Sequence, residues 1–146
     1  MGDLINWTPP SLPPRDVIRG RYVTLEPLTL AQRDDLLAAY AEDHSGAMWH
    51  YLPVGPFVDV AAYGVWLDGA RLSFDPLHFA IRMEDGRLGG TLSLMRIDPR
   101  AGSIETGWLT FSPRLQRTRA ATEAVYRLME WSFDAGYRRF EWKCDA

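Results

Sequence analysis

The chain has 146 residues, 47% of them apolar and 24% charged, with a formal net charge of -3. That length suits one core and hardly two, and the acidic balance, with arginines scattered along the chain, points away from nucleic acid. One cysteine, Cys144, excludes an internal disulfide, and no apolar run approaches the roughly 20 residues that cross a bilayer, so no membrane partner is expected.

The start, Met1 to Thr8, lacks the basic-then-apolar pattern of a secretory leader, so a reducing, cytoplasmic setting is expected. Pro9, Pro10, Pro13 and Pro14 remove backbone donors and hold their neighbours open, which predicts an extended arm over residues 1–20 that Trp7 pins to the surface. A single domain is expected over 21–146. From Arg21 to Glu26 the residues favour a strand that Pro27 ends. Thr29 and Gln32 fit a capping box, and Leu36, Leu37 and Tyr40 give a helix over about 29–42 its apolar side. Met48 to Phe57, dense in aromatic and turn-forming residues, reads as a loop. Asp59 caps a second helix, with Ala62, Trp66 and Ala70 recurring every four residues, and Pro76 bounds it.

Beyond Pro76 the period drops to 2. Phe79, Ile81 and Met83 alternate with His78, Ala80 and Arg82, Asp85-Gly86 supplies a tight hairpin, and Leu88 to Leu94 return. Asp98 to Gly102 turn again into a strand from Ser103 to Phe111. Strict alternation there sets Ile104, Thr106, Trp108 and Thr110 on one face and Glu105, Gly107, Leu109 and Phe111 on the other. A helix from about Thr118 to Ala135 presents Ala121, Val125, Leu128, Met129 and Ser132 on one narrow face, with Gly136 as its C-terminal cap. Arg138 to Cys144 is a last strand, and strand, crossover helix and strand predict a parallel final pair. The fold expected is a mixed α/β (α+β) one with a mostly antiparallel sheet and flanking helices.

The segment Gln116-Arg117-Thr118-Arg119-Ala120-Ala121-Thr122 joins a strand end to a helix start. Free backbone N–H groups and the partial positive charge of a helix N-terminus converge there, Arg117 and Arg119 add full charges, and Ala120 and Ala121 leave the approach open, all of which suits a phosphate. The residues alone equally allow a plain solvated helix start.

The order of elements, with Gly107-Trp108, Ser112-Pro113 and Gln116 to Ala124, resembles the GNAT superfamily of N-acetyltransferases, especially the RimJ/RimL-like branch that acetylates the N-termini of ribosomal proteins. The resemblance runs from Arg21 onward. It implies acetyl-CoA as cosubstrate and no metal, with the family pattern Gln/Arg-x-x-Gly-x-Gly/Ala carried by Gln116, Arg117, Thr118, Arg119, Ala120 and Ala121, and Thr122 following. Arg119 stands where the pattern commonly has glycine, so an altered affinity for the diphosphate is expected. The family's bulged fourth strand, here around Leu109, Thr110 and Phe111, would hold pantetheine and the thioester oxygen. The family also continues past the last strand into a helix and hairpin that complete the cofactor site, so the chain is expected to be truncated at its C-terminus.

Direct transfer of acetyl to an amine needs a base. Glu105 is the candidate, on the strand that carries Trp108 and on its opposite face; a plain cross-strand glutamate is the other reading. Trp49 and Tyr51 are candidate acceptor contacts or anchors of their loop. His44, His50 and His78 have no ligand-like spacing, so no metal site is expected. Cys144 reads as a small buried hydrophobe, and Gly89-Gly90 as a bulge or close packing contact. The function expected is acetyl transfer from acetyl-CoA to a primary amine, on a protein N-terminus or a small molecule. The alternative is a non-catalytic acyl-CoA-binding or interaction module, in which a homodimer covers the open sheet edge.

Overall fold

The computed structural model describes residues 6–144. The first five residues of the expected arm and the last two of the expected domain lie outside the described residues. One six-stranded sheet follows chain order: β1 (Ile18–Arg19), β2 (Val23–Pro27), β3 (Leu77–Met83), β4 (Leu88–Asp98), β5 (Ser103–Phe111) and β6 (Arg139–Trp142). Neighbours are antiparallel as far as β5, and β5 and β6 are parallel. Parallel strands need a crossover, which is α3 (Arg119–Asp134). The fold is therefore the mixed α/β one that the period changes and crossover imply.

The sheet is covered on both faces, so its central strands are buried on both. On one face α3 sets Ala120, Ala124 and Leu128 against Val23, Leu25, Phe79, Ile81 and Leu92. On the other, α1 (Arg33–Tyr40) and α2 (Val60–Leu72) set Leu36, Tyr40, Tyr63 and Leu67 against Ala80 and Leu88. Local chemistry fixes the helix starts. Asp59 accepts the Ala62 N–H at 2.7 Å, and Thr118 accepts the Ala121 N–H at 3.2 Å. The expected capping box at Thr29 forms, its N–H donating to Gln32 Oε1 at 3.0 Å, and a short 3-10 turn over Leu30–Gln32 precedes α1.

Three features depart from the sequence reading. Strand β1 lies inside the expected arm, where Gly20 donates to the Val23 carbonyl at 2.8 Å and folds Ile18 back onto Leu25. Cys144 is exposed, because β6 ends at Trp142, two residues before it. Alternation along β5 breaks at Trp108, whose φ of 53° marks a bulge: Thr91 pairs with Thr110 but Ser93 pairs with Gly107, leaving Trp108 and Leu109 opposite Leu92 alone. Ile104 faces α3. Past the bulge Trp108 and Thr110 face α1 and α2, where Trp108 meets Trp66 and Thr110 lies near Tyr40. Trp108 therefore shares a face with Glu105 instead of opposing it.

The arm runs from the end of α3 to the end of α2. Trp7 Nε1 donates to the Gly136 carbonyl at 2.8 Å beneath the Arg138 guanidinium, Tyr137 donates to the Ser11 carbonyl at 2.9 Å, and Arg15 donates to the Ser73 carbonyl at 2.8 Å.

Candidate functional site

The site is built where β5 hands over to α3. Ser112 turns the chain, its carbonyl accepting the N–H groups of Leu115 and Gln116, and the Gln116 side chain donates back to the Phe111 carbonyl at 2.8 Å. Arg117 then takes a left-handed conformation, φ 60°, which aims the next amides outward. Thr118 closes the turn, donating to the Leu115 carbonyl at 2.6 Å while capping Ala121. Among the described residues, no acceptor is found for the N–H groups of Arg117, Thr118, Arg119 and Ala120. Gln116, Arg117 and Arg119 are exposed. Four free donors and a helix N-terminus thus lie together, beside an open cleft of about 410 Å³ that Tyr22, Thr118, Arg119 and Ala120 help to line. The Arg119 guanidinium rests 5.7 Å from the centre of the Tyr22 ring, so it stands to one side of the free amides.

A second cleft, of about 640 Å³, opens alongside. Strand β6 ends at Trp142, the partner of Thr106, which leaves β5 beyond Thr106 without a β6 partner among the described residues, and α3 forms another wall. Leu109 and Phe111 of β5, Ala121, Thr122 and Val125 of α3 and Trp142 of β6 line it. Helix α3 accordingly carries two apolar stripes. Ala120, Ala124 and Leu128 fill the core, while Ala121, Val125 and Met129 face the cleft. Thr110 is absent from that lining. It is buried on the opposite face, its hydroxyl donating to the Trp108 carbonyl at 3.3 Å.

On the α1 and α2 face, Glu105 is buried at 5% exposure, and its Oε2 lies 3.2 Å from Lys143 Nζ and 3.6 Å from Arg96 Nε. Both cations reach in from exposed positions. Trp49 is a core anchor, its ring 5.1 Å from Tyr40 and 5.7 Å from Phe57 edge-on, whereas Tyr51 is 76% exposed and touches His50. The sequence reading left out the wall made by Trp66, His78 and Trp108, whose ring centres lie 5.5 to 6.1 Å apart. Burial pushes the His78 pKa down to about 4, so the ring is neutral. The sequence signal was present in the alternation that set His78 on the face of Ala80. No cluster of His, Cys, Asp or Glu able to hold a metal occurs among the described residues.

Residues 23–146 match the family model of the acetyltransferase (GNAT) domain. The chain belongs to that family. A GCN5-related N-acetyltransferase from Brucella melitensis is 42% identical with a TM-score of 0.90, over 94% of this chain and 63% of that one. A structure described as a probable acetyltransferase of the GNAT family, from Chromobacterium violaceum, is 34% identical with a TM-score of 0.87, over 100% of this chain and 74% of its own. The microcin C7 self-immunity acetyltransferase MccE, solved with acetyl-CoA and AMP, is 18% identical with a TM-score of 0.72, over 92% of this chain and 76% of that one, and so shows the fold alone. No curated protein matches the chain. The GNAT chain described here thus spans less than two thirds of the Brucella protein's length.

Proposed function

We propose that this chain binds acetyl-CoA and transfers its acetyl group to a primary amine, the N-terminus of a protein in the manner of the RimJ/RimL-like branch, in the cytoplasm. The observation that carries this reading is the row of four unpaired amides at Arg117 to Ala120, which opens beside an apolar cleft of about 640 Å³. A diphosphate satisfies such donors and a pantetheine arm suits such a cleft, so polar and apolar halves lie in the order that coenzyme A presents them. The bulge at Trp108 and the end of β6 at Trp142 leave the edge of β5 beyond Thr106 for the thioester end to meet. With α3 and the cofactor cleft on one face, the amine has the α1 and α2 face left to approach from.

In the reaction the amine nitrogen forms a bond to the acetyl carbon, the carbon–sulfur bond breaks, and the amine's proton leaves while the thiolate gains one. Glu105 is the proposed proton acceptor, through water. Calorimetry with coenzyme A and thiol release over a panel of amines, alaninamide included, test the two halves separately. Micromolar heat with thiol release supports the whole reading. Heat without release from any amine leaves an acyl-CoA-binding module, and no heat overturns the reading.

A further inference from the structure

His78 is buried at 5% exposure, and its Nδ1 has no hydrogen-bond partner. A buried ring nitrogen without a partner destabilises the free protein, so its retention needs a reason. The hydroxyl on the facing strand cannot serve it: Ser93, the register partner of His78, donates its Oγ–H to the Gly107 carbonyl at 3.0 Å. Two indoles flank the imidazole edge-on, Trp66 at 5.5 Å and Trp108 at 5.6 Å, and neither donates a hydrogen bond to Nδ1. Trp108 is itself the bulge residue of β5, and Gly107 before it pairs with Ser93, which pairs with His78. The orphan nitrogen thus sits two strands from the point where β5 opens, on the face left to the acceptor. Both indoles are half-buried and border solvent, and an amine reaches Nδ1 by displacing one of them.

We propose that Nδ1 of His78 accepts an N–H of the attacking amine and so orients its lone pair toward the bulge. This rests on the acetyltransferase reading above. A primary amine brings two N–H groups, one to spend on His78 and one to lose in the reaction, whereas a secondary amine has a single N–H. The neutral ring does not repel an incoming cationic amine, and the indoles beside it offer that cation their faces. The site therefore selects primary over N-methylated amines, and His78 is a specificity-determining residue for the acceptor.

The test compares His78→Phe, which keeps a ring and removes the acceptor, with His78→Asn, whose Oδ1 can take the place of Nδ1. In His78→Phe the KM for alaninamide rises about tenfold, the value of one hydrogen bond, the KM for acetyl-CoA stays constant, and the preference over N-methyl-alaninamide is lost. The same variant melts about 2–4 °C higher, because it removes an unpaired buried polar atom. His78→Asn recovers the KM. An alaninamide KM unchanged in His78→Phe, or an acetyl-CoA KM that moves with it, overturns the inference. A wild-type protein that binds coenzyme A but releases no thiol defeats the catalytic reading. His78 is then judged by the 15N shift of its labelled imidazole, and a Nδ1 signal unmoved by saturating alaninamide overturns its role.

Discussion

Replacing Arg119 by proline removes one of the free amides and leaves the helix start intact. Arg119 is the first residue of α3, where a helix leaves its N–H unpaired, and proline's fixed φ suits that position. The residue before a proline must be extended, and Thr118 already is, with φ -115° and ψ 163°. Stability should therefore hold or rise by about 0.5 kcal/mol, since proline narrows the unfolded chain. A hydrogen bond from an amide to a phosphate oxygen contributes about 1.5–3 kcal/mol, so losing one weakens coenzyme A by about 10- to 150-fold. Arg119→Ala is the control, because it deletes the guanidinium and keeps the N–H. The guanidinium lies over Tyr22 in an exposed setting, so Arg119→Ala should cost about threefold or less. Calorimetry on both variants, with coenzyme A and with pantetheine, separates the contributions. Pantetheine has no diphosphate, and its affinity should not change. If Arg119→Pro and Arg119→Ala bind coenzyme A alike while both melt as the parent does, the amide row is not the diphosphate site.

Gly90, with φ 157°, lies so close to β5 that a Cβ there would sit 2.1 Å from the Thr110 carbonyl oxygen. Gly90→Ala must push the β4 and β5 backbones apart, which costs about 2–3 kcal/mol in denaturant unfolding. It should also widen the bulge, seen as lost coenzyme A affinity. Glu123 on α3 accepts the N–H groups of Arg21 and Tyr22 and meets Arg127, holding the β1–β2 turn against the first turns of α3. Burial raises its pKa, but the two backbone donors and Arg127 outweigh that and leave it below the ordinary carboxylate value. A depressed folded pKa contributes stability above the unfolded value, lost as pH falls through the folded one. Glu123→Gln should cost about 1–3 kcal/mol at pH 7, and the cost should fade as pH falls through the depressed folded value, read by urea melts from pH 7 downward.

Most of the sheet was legible because its signals are local. Asp85-Gly86 names its own hairpin, the alternation around Phe79 and Ile81 needs no distant residue, and Thr118 caps by its own side chain. A bulge in this strand was expected only from the family resemblance, around Leu109 to Phe111, and its position at Trp108 was not legible from the residues. A tryptophan does not favour a positive φ, so at Trp108 the conformation is held by packing against Trp66 and His78 from other elements. Its consequence, the swap of faces between Ile104 and Thr110, escaped the period-2 reading for the same reason. The double role of α3 was hidden in a similar way. Ala121, Val125 and Met129 do recur at helical spacing, yet spacing cannot tell a stripe that faces the core from one that faces an open cleft. Among the candidate site residues, the turn from Gln116 to Ala121 could be read because a motif and a cap coincide there, while Lys143 and Arg96 meet Glu105 only through pairings between strands.

Those pairings make Glu105 testable as a base. A buried carboxylate usually resists replacement, because its partners are left charged in a dry site. Here the partners are largely in water: the side chains of Lys143 and Arg96 are 58% and 64% exposed, so each is solvated without Glu105. Glu105→Gln keeps the shape and an oxygen for Lys143, and its stability cost should stay under about 1 kcal/mol. Its effect on turnover is then not a folding effect. If the carboxylate draws the proton from the amine through water, kcat/KM at pH 7 falls by about 100-fold or more. The deficit must shrink toward pH 9, where more of the amine arrives already neutral. A pH-independent deficit would instead mark Glu105 as an anchor for the cations, and an unchanged kcat/KM would remove it from the reaction altogether.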